Sequence, residues 1–371
     1  MPTTTLMLLL LGLADPRLCS ARLSLPAVPP KGWEDFDSHR DAAYNETYAR
    51  AAAAVMGKQM APLGFTDMVI GGWSAGGVVD PGGAVDNNAT HHYVVLDEFS
   101  RPVPDAVRFP SAAVTNAPCS CMPRNCSVMR QWQCTDPVCV CPAGSRSLRP
   151  FRKYLTQHGL RLGLWTWRGV HAGAVALKLR VKGTPYTADQ IVERGADGSP
   201  CITAGKECPA NCGWGPWLGL NTSHPGARAY YDSFYSQVVD DWGVAFVKTD
   251  CQDPARRWDE LALQSDAANK TKGDVALSIA PGPFLVPQGS RAASTRAVTM
   301  YRVTGDFYGR WNQLPQEIAA ASAFANASLL GAGGTYPDLD MMPMGQIVCD
   351  LRNIPATTHG QQCGCDNCVK W

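Results

Sequence analysis

The stretch W-G-V-A-F-V-K-T-D-C, Trp242–Cys251, decides the fold of this chain. Its centre, V-A-F-V, consists mostly of β-forming residues and is too short for a stable helix, so the pattern predicts a short buried strand. Lys248 and Asp250 end this strand two positions apart, and side chains with that spacing project from the same side. In a parallel α/β barrel, the C-terminal end of a strand is the rim at which active sites are built.

Helix-favouring and strand-favouring segments alternate along the rest of the chain. The predicted helices are Asn45–Met60, Leu148–His158, one capped by Thr222 or Ser223 with Pro225 in its first turn, and Gln316–Leu330. The other predicted strands are Phe65–Ile70, Leu160–Trp167, Val275–Ala280, Met300–Gly305 and Leu329–Gly334. This spacing predicts the α/β class and a (β/α)8 TIM-type barrel. A doubly wound nucleotide-binding sheet is the alternative, but no G-x-G-x-x-G or phosphate-binding loop follows a predicted strand.

The composition is that of a globular protein without a nucleic-acid partner. The 371 residues are 45% hydrophobic and 18% charged, with a formal net charge of +1. No basic run of the kind that contacts phosphates is present. We also expect no membrane partner, because the apolar run near the N-terminus is too short to span a bilayer and no second candidate follows.

The N-terminus has the pattern of a secretory signal. Leu6–Leu13 is a short apolar run, and small residues around Cys19 form a cleavage-like site, although the usual positive charge is missing. Removing Cys19 from the 15 cysteines leaves an even number, which suits disulfides. N-glycosylation sequons begin at Asn45, Asn88, Asn125, Asn221, Asn269 and Asn326. We therefore expect a glycoprotein that is secreted, either extracellular or vacuolar-lysosomal.

A cysteine-dense insertion spans residues 119–141. Its members are Cys119, Cys121, Cys126, Cys134, Cys139 and Cys141. In a secreted chain this density predicts a loop stapled by disulfides. Zinc is the weaker alternative, since no H-x₃₋₅-H and no paired C-x₂-C accompanies these residues. We expect neither a metal nor another cofactor.

Acidic residues follow three of the predicted strands. Asp250 ends K-T-D, Asp306 closes Y-R-V-T-G-D, and Asp338 and Asp340 lie in G-G-T-Y-P-D-L-D-M. Carboxylates that converge with aromatic side chains at one barrel mouth suit sugar chemistry. Glycoside cleavage needs one carboxylate to attack or stabilise C1 and a second to protonate the leaving oxygen.

These motifs resemble glycoside hydrolase family 27, the melibiase or α-galactosidase family. W-G-V-A-F-V-K-T-D-C resembles the family's W-G-V-D-x-x-K-x-D, and Y-R-V-T-G-D resembles its W-R-T-T-G-D. P-P-K-G-W-x-x-F, G-L-R-L-G-L-W and G-G-T-Y-P-D-L-D-M resemble P-P-M-G-W-x-x-W, G-L-K-x-G-I-Y and G-G-W-N-D-P-D-M. The motifs occur in the family's order across residues 29–347 and indicate a divergent branch.

The resemblance implies a retaining glycosidase that acts on terminal α-galactoside-like residues. Asp250 would be the nucleophile and Asp306 the general acid/base. The positive charges of Lys248 and Arg302 would keep Asp250 ionised, and the secretory setting suggests an acidic pH optimum. The substrate-binding residues implied are Lys248, Arg302, Asp340, Trp165, Phe36 and Trp73. Asp338 is expected to be an ordinary charge at the barrel rim.

Three departures from the family pattern limit what it implies. Ile70-Gly71-Gly72 replaces the acidic pair that grips galactose hydroxyls after the second strand, and Ser278-Ile279-Ala280-Pro281 lacks the glutamate after the fifth. After Gly345 only Gln346–Trp371 remain, where the family continues with an eighth strand and a C-terminal β-domain. We therefore expect a truncated sequence or an open barrel.

The expected organisation has three parts: a signal peptide over residues 1–21, a catalytic barrel over residues 22–347 and an irregular cysteine-containing tail over residues 348–371. A catalytically silent carbohydrate-binding relative is the alternative to an enzyme. The presence of both Asp250 and Asp306, together with Lys248 and Arg302, favours the enzyme. A zinc-dependent hydrolase is a third possibility, but the seven histidines of this chain do not form a histidine-rich ligand set. The oligomeric state is not predicted by the sequence.

The signal and sequons make one testable prediction. Expressed in a secretory host, the mature protein should begin near Arg22 and carry N-glycans at several of the six sites. N-terminal sequencing and electrophoresis before and after glycosidase digestion measure both. An unchanged electrophoretic mobility would contradict the expected compartment.

Overall fold

The structure is a computed structural model that describes residues 28–35, 45–77, 92–122, 138–201, 217–252, 254–280, 298–306, 313–331 and 334–339. In chain order its strands are β1 Gly32–Glu34, β2 Asp67–Ile70, β3 Ala75–Gly77, β4 His92–Asp97, β5 Ser120–Met122, β6 Val138–Cys141, β7 Arg161–Trp167, β8 Val170–His171, β9 Trp217–Leu218, β10 Phe246–Asp250, β11 Ala276–Ala280, β12 Met300–Arg302 and β13 Tyr336–Asp338. Its α-helices are α1 Glu46–Gln59, α2 Arg149–Gln157, α3 Ala172–Ala176, α4 Ala188–Ile191, α5 Pro225–Tyr235, α6 Pro254–Asn269 and α7 Leu314–Asn326.

Seven of these strands form one parallel sheet in the order β1-β2-β7-β10-β11-β12-β13. Sequence neighbours in the sheet are therefore spatial neighbours, and helices α1, α2, α5, α6 and α7 lie on the connections between them. Winding in one direction with helical crossovers is the topology of a βα barrel. The predicted α/β class is confirmed, and the described residues form a curled, parallel half-barrel.

One face of the sheet packs against the helices. Ile70, Leu164, Val247 and Leu277 are fully buried, and the strand register aligns them across β2, β7, β10 and β11. Burying such side chains contributes about 1.5–3 kcal/mol each. Since side chains alternate along a strand, the residues between them point to the concave interior of the half-barrel.

Two local predictions differ from the structure. The helix that leads to β10 begins after His224, whose Nδ1 accepts a hydrogen bond from Gly226 N at 3.1 Å, so Thr222 and Ser223 are not its cap. It continues as a π-helix over Ser236–Asp241. The last strand was expected at residues 329–334 but lies at β13, where backbone hydrogen bonds join it to β12. Among the described residues, no helix has the length and apolar character needed to cross a membrane.

The cysteine-dense insertion belongs to a separate four-stranded sheet with the order β3-β4-β6-β5. Disulfides Cys119–Cys141 and Cys121–Cys139 join its antiparallel strands β5 and β6. The prediction of a disulfide-stapled insertion is confirmed for these four cysteines. Cys126 and Cys134 lie outside the described residues.

Gly169 offers a test of the packing beside β7. It has φ +85°, and a Cβ there would lie 1.9 Å from the carbonyl oxygen of Leu218. Gly183 has a similar φ of +75° but open space around it, so it serves as the matched control. Gly183→Ala should cost about 1–2 kcal/mol of folding free energy through its backbone conformation alone. Gly169→Ala should cost about 1–3 kcal/mol more, because β8 and β9 must separate. Urea unfolding measures both, and equal losses would contradict the close approach.

Candidate active site

The organising strand places Lys248 and Asp250 on the concave face of the sheet. Lys248 is in register with Trp165 on β7 and Ser278 on β11, and Asp250 is in register with Trp167 and Ala280. Aligned residues of parallel neighbours face the same side. The helix-facing positions alternate with these, so both charged groups point into the half-barrel, at the C-terminal ends of its strands.

Asp250 is a buried carboxylate, with 8% of the residue exposed. Its Oδ1 accepts a hydrogen bond from Cys251 N at 2.8 Å. Burial raises the pKa of Asp250 to about 6 and outweighs the hydrogen bond from Cys251 and the charges of Lys248 and Arg302, which lower it. The expectation that these two cations keep Asp250 ionised therefore holds only above about pH 6.

Lys248 forms an ion pair with Glu34, which no sequence motif indicated. Its Nζ donates to Glu34 Oε2 at 2.8 Å, and the two side chains are 11% and 21% exposed. β1 and β10 are separated in the sheet by β2 and β7. Such a contact requires the sheet to curl so that both side chains meet in its interior. Glu34 lies two positions before Phe36, a predicted site residue. Side chains two positions apart on a strand face the same side, so this spacing would have indicated Glu34.

Arg302 connects the two predicted catalytic acids. Its Nη1 donates to Asp306 Oδ1 at 2.8 Å, and its positive charge also lowers the pKa of Asp250. The Asp306 side chain is 40% exposed, and Gln313 Nε2 donates to its backbone oxygen at 2.8 Å. The site therefore combines one buried and one accessible carboxylate near a single guanidinium.

Asp338 lies closer to this site than the sequence suggested. It is in register with Arg302 in the β12–β13 pair, so its side chain faces the same side of the sheet. This alignment was not predicted, because the last strand was expected a few residues earlier, at residues 329–334. Asp340 and Phe36 lie outside the described residues. Within the described part of the chain, no group of three or more His, Cys, Asp or Glu residues is placed to hold a metal ion.

The two tryptophans selected from the sequence have different environments. Trp165 is half-buried and lies edge-on to Trp167, with ring centroids 4.7 Å apart. Trp73 is 2% exposed, donates from Nε1 to the Trp165 carbonyl at 2.9 Å and packs edge-on against Trp242. An enclosed indole has no face to offer a sugar ring. The structure therefore gives Trp73 a core position that supports the β7 backbone at Trp165.

The carboxylate of Asp35, the residue that follows β1, lies at the end of β2. Asp35 is 3% exposed and accepts hydrogen bonds from Gly71 N through Oδ1 at 2.8 Å and Oδ2 at 3.0 Å. A Cβ on Gly71 would lie 3.2 Å from Asp35 Oδ1. A residue without a side chain at position 71 thus leaves room for this buried carboxylate.

A buried network holds the backbone behind Asp250. Arg168 donates from its backbone N to the Asp250 carbonyl at 3.1 Å and from Nε to the Cys251 carbonyl at 2.8 Å. Its Nη1 pairs with Glu260 Oε2 at 2.5 Å, and Tyr231 donates to Glu260 Oε1 at 2.6 Å. Cys251 has φ +59° and forms a disulfide. These constraints keep the Asp250–Cys251 peptide in one orientation, although sequence reasoning did not identify Arg168, Tyr231 or Glu260.

Comparisons of the sequence with models of known protein families and with curated proteins give no match. Solved structures do match. A GH27 β-L-arabinopyranosidase from Geobacillus stearothermophilus, in complex with arabinose, aligns with a TM-score of 0.65 at 24% identity over 89% of this chain. A protein from Bacillus halodurans C-125, described as an α-N-acetylgalactosaminidase, aligns with a TM-score of 0.59 at 23% identity over 88% of this chain. α-Galactosidase I from Mortierella vinacea aligns with a TM-score of 0.50 at 15% identity over 88% of this chain.

These likenesses establish the fold. The chain has the barrel fold of glycoside hydrolase family 27 and is divergent from it in sequence, which confirms the resemblance that its motifs indicated. It spans 64%, 63% and 62% of the length of those three chains, respectively.

The raised pKa of Asp250 predicts an effect of Asp250→Asn on stability. Burial raises the pKa of Asp250 in the folded protein above its ordinary value of 3.8, so the carboxyl group contributes stability below about pH 4 that is lost as pH rises to about 6. At pH 7.5 the amide should therefore raise the free energy of unfolding by up to about 3 kcal/mol, and at pH 4 the difference should vanish. Urea unfolding at both pH values measures this.

Asp266→Asn is the matched control, because Asp266 is a half-exposed helix residue paired with Arg228. It should change stability little at either pH. An Asp250→Asn variant that is no more stable than the wild type at pH 7.5 would show that the Asp250 carboxylate is solvated or fully compensated.

Proposed function

We propose that this protein is a retaining glycoside hydrolase that removes a terminal α-linked, galactoside-like sugar. The observation that carries the proposal is the placement of Arg302, which hydrogen-bonds the accessible Asp306 while its charge acts on the buried Asp250. A pair of carboxylates at one site is the arrangement that glycoside cleavage uses. The family 27 fold supports the same chemistry.

In the first step, Asp250 attacks C1 of the sugar, and the bond from C1 to the leaving oxygen breaks. Asp306 gives its proton to that oxygen, so the leaving group departs as an alcohol and the sugar is held as an ester of Asp250. In the second step, Asp306 takes a proton from water, and the hydroxide attacks C1 and releases Asp250. Retention needs the two carboxyl groups to be about 5–5.5 Å apart across C1.

The orientation of Asp250 and the solvent access of Asp306 support these roles. Asp250 would be a well-oriented nucleophile, because Cys251 N donates to its Oδ1 and Arg168 N donates to its backbone carbonyl. The acid must exchange protons with the leaving group and with water, and Asp306 is the more exposed of the two. Lys248, Arg302 and Trp165 would contact the sugar from the concave face, with Asp338 as a further candidate.

The pKa of Asp250 changes the expected pH dependence. The nucleophile must be ionised, and its pKa is about 6. Below that pH, kcat/KM should fall about tenfold per pH unit. The acidic limb of the kcat/KM profile should therefore have its midpoint near pH 6.

Two substitutions test the catalytic roles. Asp250→Asn should lower kcat by at least about a thousandfold on every substrate, because no ester can form. Asp306→Ala should lower kcat/KM on alkyl glycosides by about 10²–10⁴ but spare dinitrophenyl glycosides, whose leaving groups depart without a proton. Steady-state kinetics on both substrate types measure this, with Asp266→Asn as the control.

The pattern of losses separates the possibilities. A small loss in Asp250→Asn would overturn its role as nucleophile. Equal losses on both substrate types in Asp306→Ala would overturn its role as acid. Sugar binding without turnover in the wild type would favour a carbohydrate-binding protein over an enzyme.

A further inference from the structure

Glu34 is the charged residue at the site whose position the proposed mechanism does not explain. Its carboxylate stands opposite Lys248 in the concave interior, and its negative charge raises the pKa of Asp250. A group that serves only to neutralise Lys248 would weaken the ionisation on which Asp250 depends. The position of Glu34 therefore calls for a contribution from another interaction.

The neighbouring strands leave Glu34 as the accessible carboxylate at this edge of the site. β2 is followed by Gly71 and Gly72, which carry no side chain. Asp35 is buried, and both of its oxygens accept from Gly71 N. Glu34 retains 21% exposure, and within the described residues no donor other than Lys248 Nζ reaches its carboxylate.

An acceptor beside a donor matches the chemistry of adjacent hydroxyl groups. One hydroxyl can donate to the carboxylate while its neighbour accepts from the ammonium, and both bonds are charge-assisted. Lys248 and Glu34 are held 2.8 Å apart, which is also about the separation of oxygens on neighbouring ring carbons. The pair is only 11% and 21% exposed, so a bound sugar would complete its desolvation.

From this arrangement we infer that Glu34 is a specificity-determining residue, which with Lys248 binds two adjacent hydroxyls of the pyranose whose C1 faces Asp250. The inference rests on the proposed function. It assigns to β1 the selection of the sugar that the end of β2, with its two glycines, has no side chain to perform.

The test combines Glu34→Gln with a series of aryl α-pyranosides that each lack one hydroxyl. In the wild type, loss of the recognised hydroxyl should lower kcat/KM by about tenfold or more, as expected for a charge-assisted hydrogen bond. In Glu34→Gln the same deletion should cost less than about threefold, while deletions elsewhere on the ring cost as much as in the wild type. Glutamine keeps the size of the side chain and an oxygen that accepts from Lys248.

Glu98→Gln is the matched control, because Glu98 also pairs with a basic residue, Arg180, but on the surface. Its deoxy-sugar losses should equal those of the wild type. Identical losses in Glu34→Gln and the wild type at every ring position would overturn the inference, and Glu34 would then be a counter-ion only. Calorimetric titration with the free monosaccharide and its deoxy forms gives the same comparison without turnover. Binding with this pattern but no cleavage would overturn the proposed function and support the role of Glu34.

Discussion

The burial of a carboxylate at the end of β10 is the constraint on which the rest of the site depends. Removing Asp250 from water disfavours its charge, and this effect exceeds the stabilisation that Lys248, Arg302 and Cys251 N supply. A fully paired carboxylate would be stable but less reactive, and an exposed one would be poorly oriented. The site instead gives Asp250 a pKa of about 6, at which a small change in its surroundings alters its protonation.

The curl of the parallel sheet brings the charges together. Glu34 and Lys248 lie on strands separated by two others, and Arg302 comes from a strand on the opposite side of β10, separated from it by β11. None of these groups is local in sequence to the others, yet all act on Asp250. Arg168 and Glu260 supply the rigid support behind it. The electrostatics of the site are therefore a property of the barrel rather than of any one motif.

Much of the scaffold and part of the site could be predicted from sequence, for physical reasons. The two-residue period of a strand placed Lys248 and Asp250 on one face, and alternating helices and strands gave the parallel order. Trp73 could not be assigned, because whether an indole faces a cleft or the core depends on Trp242, which is distant in sequence. The small sheet around β4 was also missed, since its strands are short and separated by the cysteine-rich loop.

Glu34 shows the limit of motif reasoning most clearly. Motifs identify positions at which a residue type recurs, so they did not indicate that a carboxylate on β1 reaches Lys248. In the structure, Asp35 occupies the space beside Gly71, and Glu34 reaches Lys248. The similar structures are named for three different sugars, so the fold that this chain shares with them does not by itself determine a sugar.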